Sequence, residues 1–244
     1  HDALPIWEYL THNIGELQKK LLIKNCIISF YGASVTQQGM GYVHGFSKIM
    51  TGYIIKQYGI GSVSLKEATF LLDKIILNKE NKSDICFLEW FTAGWNIEME
   101  DLNYLVIKLL SNNILPVFLL MYNNNDRDER EKTKLLYYKI SDKMNIPLID
   151  LDTYTVRGKY YSDNLFRDYT HLTEEGGTFY GKKLSDIING INIYKSPENN
   201  LLFIPYKSLD GITKPSGNNN IPELAYCINE GENVFLPCMN AKLL

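Results

Sequence analysis

Cys26-Ile-Ile-Ser-Phe-Tyr-Gly-Ala-Ser-Val-Thr36 is the stretch on which the reading of this chain turns. Its apolar run, Ile27 to Tyr31, is cut off by Gly32, and Ser34 follows two residues later, ahead of Thr36 and a polar loop from Gln37 to Gly41. A short, nearly continuous apolar run predicts a parallel strand covered on both faces. Gly32 lets the backbone turn sharply, which places Ser34 at the C-terminal edge of the sheet, where open α/β folds bind ligands. A serine there serves as a nucleophile when a base is near and amides are free to receive an oxyanion. By itself the stretch is equally a strand-to-helix loop whose serine caps the next helix.

The bulk of the sequence sets the frame. At 244 residues the chain can hold one sizeable α/β domain and a small annex. An apolar share of 45% and a charged share of 22% describe an ordinary globular protein. The net charge of -3 offers no electrostatic footprint for nucleic acid or an anionic membrane surface. No apolar run approaches the ~20 residues of a membrane span. The opening residues, His1 to Pro5, lack the basic and apolar regions of a signal peptide, as would a chain trimmed of its leader or cut from a larger protein. The four cysteines have no metal-ligand spacing, and no metal or cofactor is expected. Cys26 and Cys86 read as buried thiols in strands. Cys227 and Cys238 are expected to stay unbridged in a hairpin that holds them too far apart.

Outward from the first strand the pattern alternates. A helix is expected over 2–25, another over 41–51 and a short strand over 53–58. Residues 64–77 form an amphipathic helix with Ser64 as N-cap and Glu67 at the capping-box position. Strands follow at 84–90, 114–122 and 146–151, with helices at 98–110 and 127–144 between them. This alternation means βαβ units, a parallel sheet and right-handed crossovers. Residues 152–168 read as a long functional loop, and a last helix runs over 173–188. Beyond Tyr194 Asn, Pro and Gly become frequent, so the chain divides into an α/β domain at 1–194 and a β-rich extension at 195–244.

The second informative stretch is Arg167-Asp-Tyr-Thr-His-Leu-Thr173, between the last strand and the last helix. A D-x-x-H turn can bring the Asp168 carboxylate to Nδ1 of His171, which leaves Nε2 free to take a proton from a hydroxyl. Taken alone, the same spacing describes a surface histidine capped by a nearby aspartate.

Together the two stretches resemble the SGNH/GDSL hydrolase family over about residues 24–190. Tyr31-Gly-Ala-Ser-Val-Thr36 is similar to the first block, with Ala33 where an acidic residue commonly stands, and Asp168 and His171 match the last. The resemblance implies a flavodoxin-like three-layer sandwich, with Ser34 as nucleophile, His171 as base and Asp168 as its orienting partner. It also implies an oxyanion hole from the amides of Ser34 and Gly61 and the side chain of an asparagine. The usual asparagine position, counted from Glu89, falls near Ala93, and Asn96 arrives three residues late. Asn96 is the expected donor, with Thr92 or a main-chain amide as the substitute. Trp90, Phe91 and Trp95 are either rim rings or packing residues. Trp95 and Asn123 are the expected substrate contacts.

These residues lead to a serine esterase that removes a small O-acyl group, acetyl, from a carbohydrate through an acyl-enzyme. The same triad would serve an O-acetyltransferase domain acting on a surface glycan. A non-catalytic glycan-binding domain is the reading from another class. The expected partner is an acylated carbohydrate or another small ester, with no nucleic acid and no membrane span.

Overall fold

The computed structural model describes residues 10–93, 97–124 and 127–193. The expectations for Trp95, Asn96, the extension at 195–244 and the thiols of Cys227 and Cys238 lie outside them. One six-stranded sheet organises the rest. Its strands are β1 (Thr11–His12), β2 (Ile27–Gly32), β3 (Ile54–Gly59), β4 (Ile85–Glu89), β5 (Leu115–Leu120) and β6 (Leu148–Asp150). They lie in the order β1-β6-β5-β4-β2-β3, all parallel except β1, which pairs antiparallel with β6. Counted among themselves, the parallel strands run 2-1-3-4-5, the flavodoxin-like doubly wound order.

The helices among the described residues are α1 (Gly15–Lys20), α2 (Ser34–Gln37), α3 (Tyr42–Ile49), α4 (Leu65–Ile75), α5 (Met99–Ser111), α6 (Arg127–Met144), α7 (Leu151–Gly158) and α8 (Glu174–Ile193). Alternation along the strands gives the sheet two buried faces. Ile28, Phe30, Phe87, Val117 and Ile149 pack toward Leu17 of α1, Phe46 of α3 and Leu184 of α8. Tyr31, Cys86, Leu88, Phe118 and Leu148 pack toward Ala68 of α4, Leu105 of α5 and Ile140 of α6. Three layers result. Burial pushes the Cys26 and Cys86 thiols up to about 11 and 12 respectively.

The α4 cap forms as its sequence dictates. Ser64 Oγ accepts from the Glu67 amide at 3.3 Å, and Glu67 Oε2 accepts from the Ser64 amide at 2.8 Å. Helices α3 and α8 touch backbone to backbone: a Cβ on Gly45 would lie 2.5 Å from the Gly177 carbonyl oxygen, and one on Gly181 would lie 2.5 Å from Gly45 C.

Three expectations need correction. The helix expected over 2–25 is, in its described part, only Gly15–Lys20, because Thr11 and His12 are drawn off to pair with Ile149 and Leu148. The loop expected over 152–168 opens instead with α7, whose N-cap Asp150 accepts from the Thr153 amide at 2.7 Å. The last helix continues to Ile193 rather than ending at 188.

Candidate active site

The order of the parallel strands reverses between β2 and β4, and such a switch point leaves a crevice beyond the strands' carboxyl ends. The Ala33 amide reaches across it to the Glu89 carbonyl at 3.0 Å, while the Ile60 amide donates to the Gly32 carbonyl at 2.9 Å. The chain therefore leaves β2 pinned from both neighbouring strands. Ala33 is extended, and Ser34 is the first residue of α2, so its amide has no acceptor along that helix. The turn sits directly on the strand ends. A Cβ on Gly59 would lie 2.0 Å from the Gln37 nitrogen, so only glycine permits this approach.

The partner stretch arrives from before α8. Phe166 and Leu172, both buried, form an antiparallel bridge, and the Arg167 amide donates to the His171 carbonyl at 2.9 Å. Inside this closed turn Asp168 Oδ1 accepts from the amides of Thr170 at 2.9 Å and His171 at 2.7 Å. The ring Nδ1 of His171 lies 2.9 Å from Asp168 Oδ2 and 3.1 Å from Oδ1, and its Nε2 lies 2.8 Å from Ser34 Oγ. Residues 137 positions apart in sequence thus form one proton path. Burial acts to raise the Asp168 carboxyl, but the bonds from His171 and Thr170 outweigh it and hold the group below its ordinary value. It remains the anion that an imidazolium needs beside it.

A residue the sequence reading passed over fixes the two loops to each other. The Gln38 amide group meets the main chain of Leu172 twice: Nε2 donates to the carbonyl at 2.9 Å and Oε1 accepts from the amide at 3.1 Å. Gln38 belongs to the loop after Ser34, and Leu172 follows His171, so this pair sets the spacing of Ser34 and His171. The signal was available only as a polar residue beside the motif. Ser34 and His171 open on a cleft of about 550 Å3 whose walls include Gln37, Met40, Arg167 and Glu174.

The expected oxyanion residues fall as follows. Gly61 lies against Ser34: a Cβ there would be 3.8 Å from Ser34 Cβ and 2.4 Å from Gln37 Oε1. Asn96 and Trp95 are outside the described residues. Thr92, the substitute donor, has its hydroxyl committed to Glu89 Oε1 at 2.6 Å and its amide to the same oxygen at 3.4 Å. Trp90 and Phe91 are core residues, packed edge-on against Tyr31 and Tyr137. Asn123 is 2% exposed and donates from Nδ2 to the Thr92 carbonyl at 3.3 Å, so it supports that turn and does not line the cleft.

No family model matches the chain, and no curated protein matches it. Solved structures do. A two-domain esterase (CEX) active on acetylated mannans, co-crystallised with mannopentaose, has a TM-score of 0.63 at 16% identity, over 77% of this chain and 57% of that one. This chain therefore spans little more than half of that protein. A member of the lipolytic protein G-D-S-L family from Veillonella parvula DSM 2008 has a TM-score of 0.56 at 18% identity, over 67% of this chain and 98% of that one. A variant of Axe2, an acetyl-xylooligosaccharide esterase from Geobacillus Stearmophilus, has a TM-score of 0.56 at 13% identity, over 68% and 94%. The chain has the fold of the SGNH/GDSL hydrolases.

Proposed function

We propose that this chain is a serine esterase that removes a small O-acyl group, acetyl, from a carbohydrate. One observation carries the reading: the unbroken path from Ser34 Oγ through His171 to Asp168. In the proposed reaction Nε2 of His171 takes the Ser34 proton as Oγ attacks the ester carbonyl, and Asp168 holds Nδ1 and stabilises the imidazolium. The developing oxyanion would lie toward the Ser34 amide and Gly61. His171 then returns its proton to the departing sugar oxygen, and water attacks the acyl-enzyme by the reverse route. No other base or metal cluster is needed for these steps.

Two further observations support the substrate class. The cleft is open and has the polar side chains Gln37, Gln38, Arg167, Thr173 and Glu174 on its walls, which suits hydroxyl-rich substrates better than a long acyl chain. Two neighbours in fold act on acetylated sugars, one on acetylated mannans and one on acetyl-xylooligosaccharides.

The test is acetate release from acetylated oligosaccharides, with and without a second sugar as acceptor. Release that is unaffected by the acceptor supports hydrolysis. Acetyl appearing on the acceptor would make the chain an O-acetyltransferase. No release, together with no labelling of Ser34 by a fluorophosphonate, would leave only a glycan-binding role.

A further inference from the structure

Glu89, the last residue of β4, is fully buried, yet among the described residues no lysine, arginine or histidine pairs with it. An unpaired buried carboxylate is costly, and an apolar residue would fill the space at less cost. What surrounds it is a set of donors from two separate turns. Oε2 accepts from Thr36 Oγ at 2.9 Å, and Thr36 Oγ lies 2.8 Å from the Tyr42 hydroxyl. Oε1 accepts from the Thr92 hydroxyl at 2.6 Å, and the Thr92 carbonyl accepts from Asn123. Thr36 belongs to the single helical turn that Ser34 opens, and Thr92 to the 3-10 turn Phe91–Ala93 after β4.

We infer that Glu89 is a positioning residue, whose carboxylate locks the Ser34 turn to the turn after β4 and so holds the nucleophile in line with His171. The inference rests on Ser34 being that nucleophile. Each threonine hydroxyl carries one proton, and a carboxylate accepts both of them. A neutral acid donates its own proton on one of its two sides, and the threonine hydroxyl there has to rotate to accept it and send its own proton elsewhere. The ionised form is therefore the one that accepts from both turns in the arrangement seen here. The titratable groups that feel its charge are Tyr42 on α3 and Tyr137 on α6, both held well above their ordinary range mainly by burial. Neither ionises in the range where Glu89 does. Burial pushes the Glu89 carboxyl up to about 7, against the bonds from Thr92 and Thr36, so its charge changes within the working range of a histidine base.

The experiment compares wild type with Glu89→Gln, Glu89→Ala and Thr92→Val, following kcat and KM on p-nitrophenyl acetate across pH, the rate of fluorophosphonate labelling, and Tm. Glu89→Gln should lower kcat about tenfold and Glu89→Ala about 10²-fold, with KM nearly unchanged, because small displacements of reacting groups have effects of this size. On the acid side the wild-type rate should fall more steeply than one proton allows, since both His171 and Glu89 must be deprotonated, and Glu89→Gln should restore a one-proton slope. Thr92→Val keeps the carboxylate and should lower kcat severalfold, which preserves the test should the Glu89 variants not fold. A Glu89→Gln enzyme with wild-type kcat and wild-type acid slope overturns the inference, as does a Thr92→Val enzyme with unchanged kcat. Wild type that resists the fluorophosphonate altogether refutes the esterase reading itself. Wild type and Glu89 variants labelled at the same rate refute only the role of Glu89.

Discussion

Replacing Glu89 by glutamine should also change how stability depends on pH, and the size of that change follows from the structure. Burial holds the carboxyl at about 7 in the folded chain, against an ordinary value of 4.5. Between those two values the unfolded chain has released its proton while the folded chain keeps it, so stability falls as pH rises through the window. The gap of about 2.5 units, at about 1.36 kcal/mol each, amounts to roughly 3 kcal/mol. Glutamine does not titrate. The stability of Glu89→Gln minus that of wild type should therefore grow by about 3 kcal/mol from pH 4 to pH 8, most of it between pH 4.5 and 7. Urea unfolding of both proteins at five or six pH values measures this, and the difference cancels every other titrating group. The midpoint should move without a change in m-value. A difference that stays flat across the window, within about 0.5 kcal/mol, would mean that Glu89 is not held protonated by burial, and the reasoning fails.

Ser34→Ala should reduce hydrolysis of p-nitrophenyl acetate to background with an unchanged Tm, since a half-exposed hydroxyl contributes little to the fold; retained activity would remove the nucleophile assignment. Asp168→Asn should leave His171 in place but in the wrong tautomer, with kcat lowered by up to about 10⁴-fold and a measurable residue of turnover. Gln38→Ala removes both bonds to Leu172, and kcat measured in steady state should fall about tenfold while the fold persists. Gly181→Ala places a Cβ 2.5 Å from both Gly45 C and the Phe46 nitrogen, and chemical unfolding should show a loss of about 1–3 kcal/mol.

Where sequence and structure agree, the reason is local or periodic. The apolar runs at 27–31, 85–88 and 115–120 could hardly be anything but covered strands, and α6 begins and ends at the expected residues. The capping box of α4 is encoded within four residues. The features that were not legible depend on distant partners. The two-residue strand Thr11–His12 carries no periodicity of its own and exists because β6 offers an edge. His12 pairs with Asp142 on α6, 130 positions away in sequence. Helix α7 was missed because its cap, Asp150, closes what reads as a strand, and because its last turn ends on a left-handed Lys159 rather than on the glycine that usually marks a helix end. In the site, Ser34, Asp168 and His171 are legible from two short motifs whose pairing resembles the SGNH/GDSL hydrolases, neither motif deciding the matter by itself. Glu89 was used only as a counting mark, although an acidic residue at the end of the run Ile85-Cys-Phe-Leu is itself a signal. Such a residue must either leave the sheet for solvent or be satisfied inside it, and here it is satisfied inside.

The contact between α3 and α8 has a consequence for how this chain can change. Ser34 and His171 ride on segments that run directly into these two helices, and the helices meet through main chain at Gly45, Gly177 and Gly181. At these three positions a side chain would meet main chain, which cannot give way as the end of a flexible side chain can. Of the cleft walls, Gln37, Thr173 and Glu174 are not among the atoms met at these glycines, whereas the Met40 carbonyl oxygen lies 2.2 Å from where a Cβ on Gly177 would sit. Substitution of Glu174 can therefore change the polarity of the cleft while the backbone contact of α3 with α8 stays, but Gln38, which also lines the cleft, cannot change without loosening the Ser34 loop from His171. The distance from Ser34 to His171 is in this way held from two sides, by main chain at three glycines and by one amide side chain in the cleft itself.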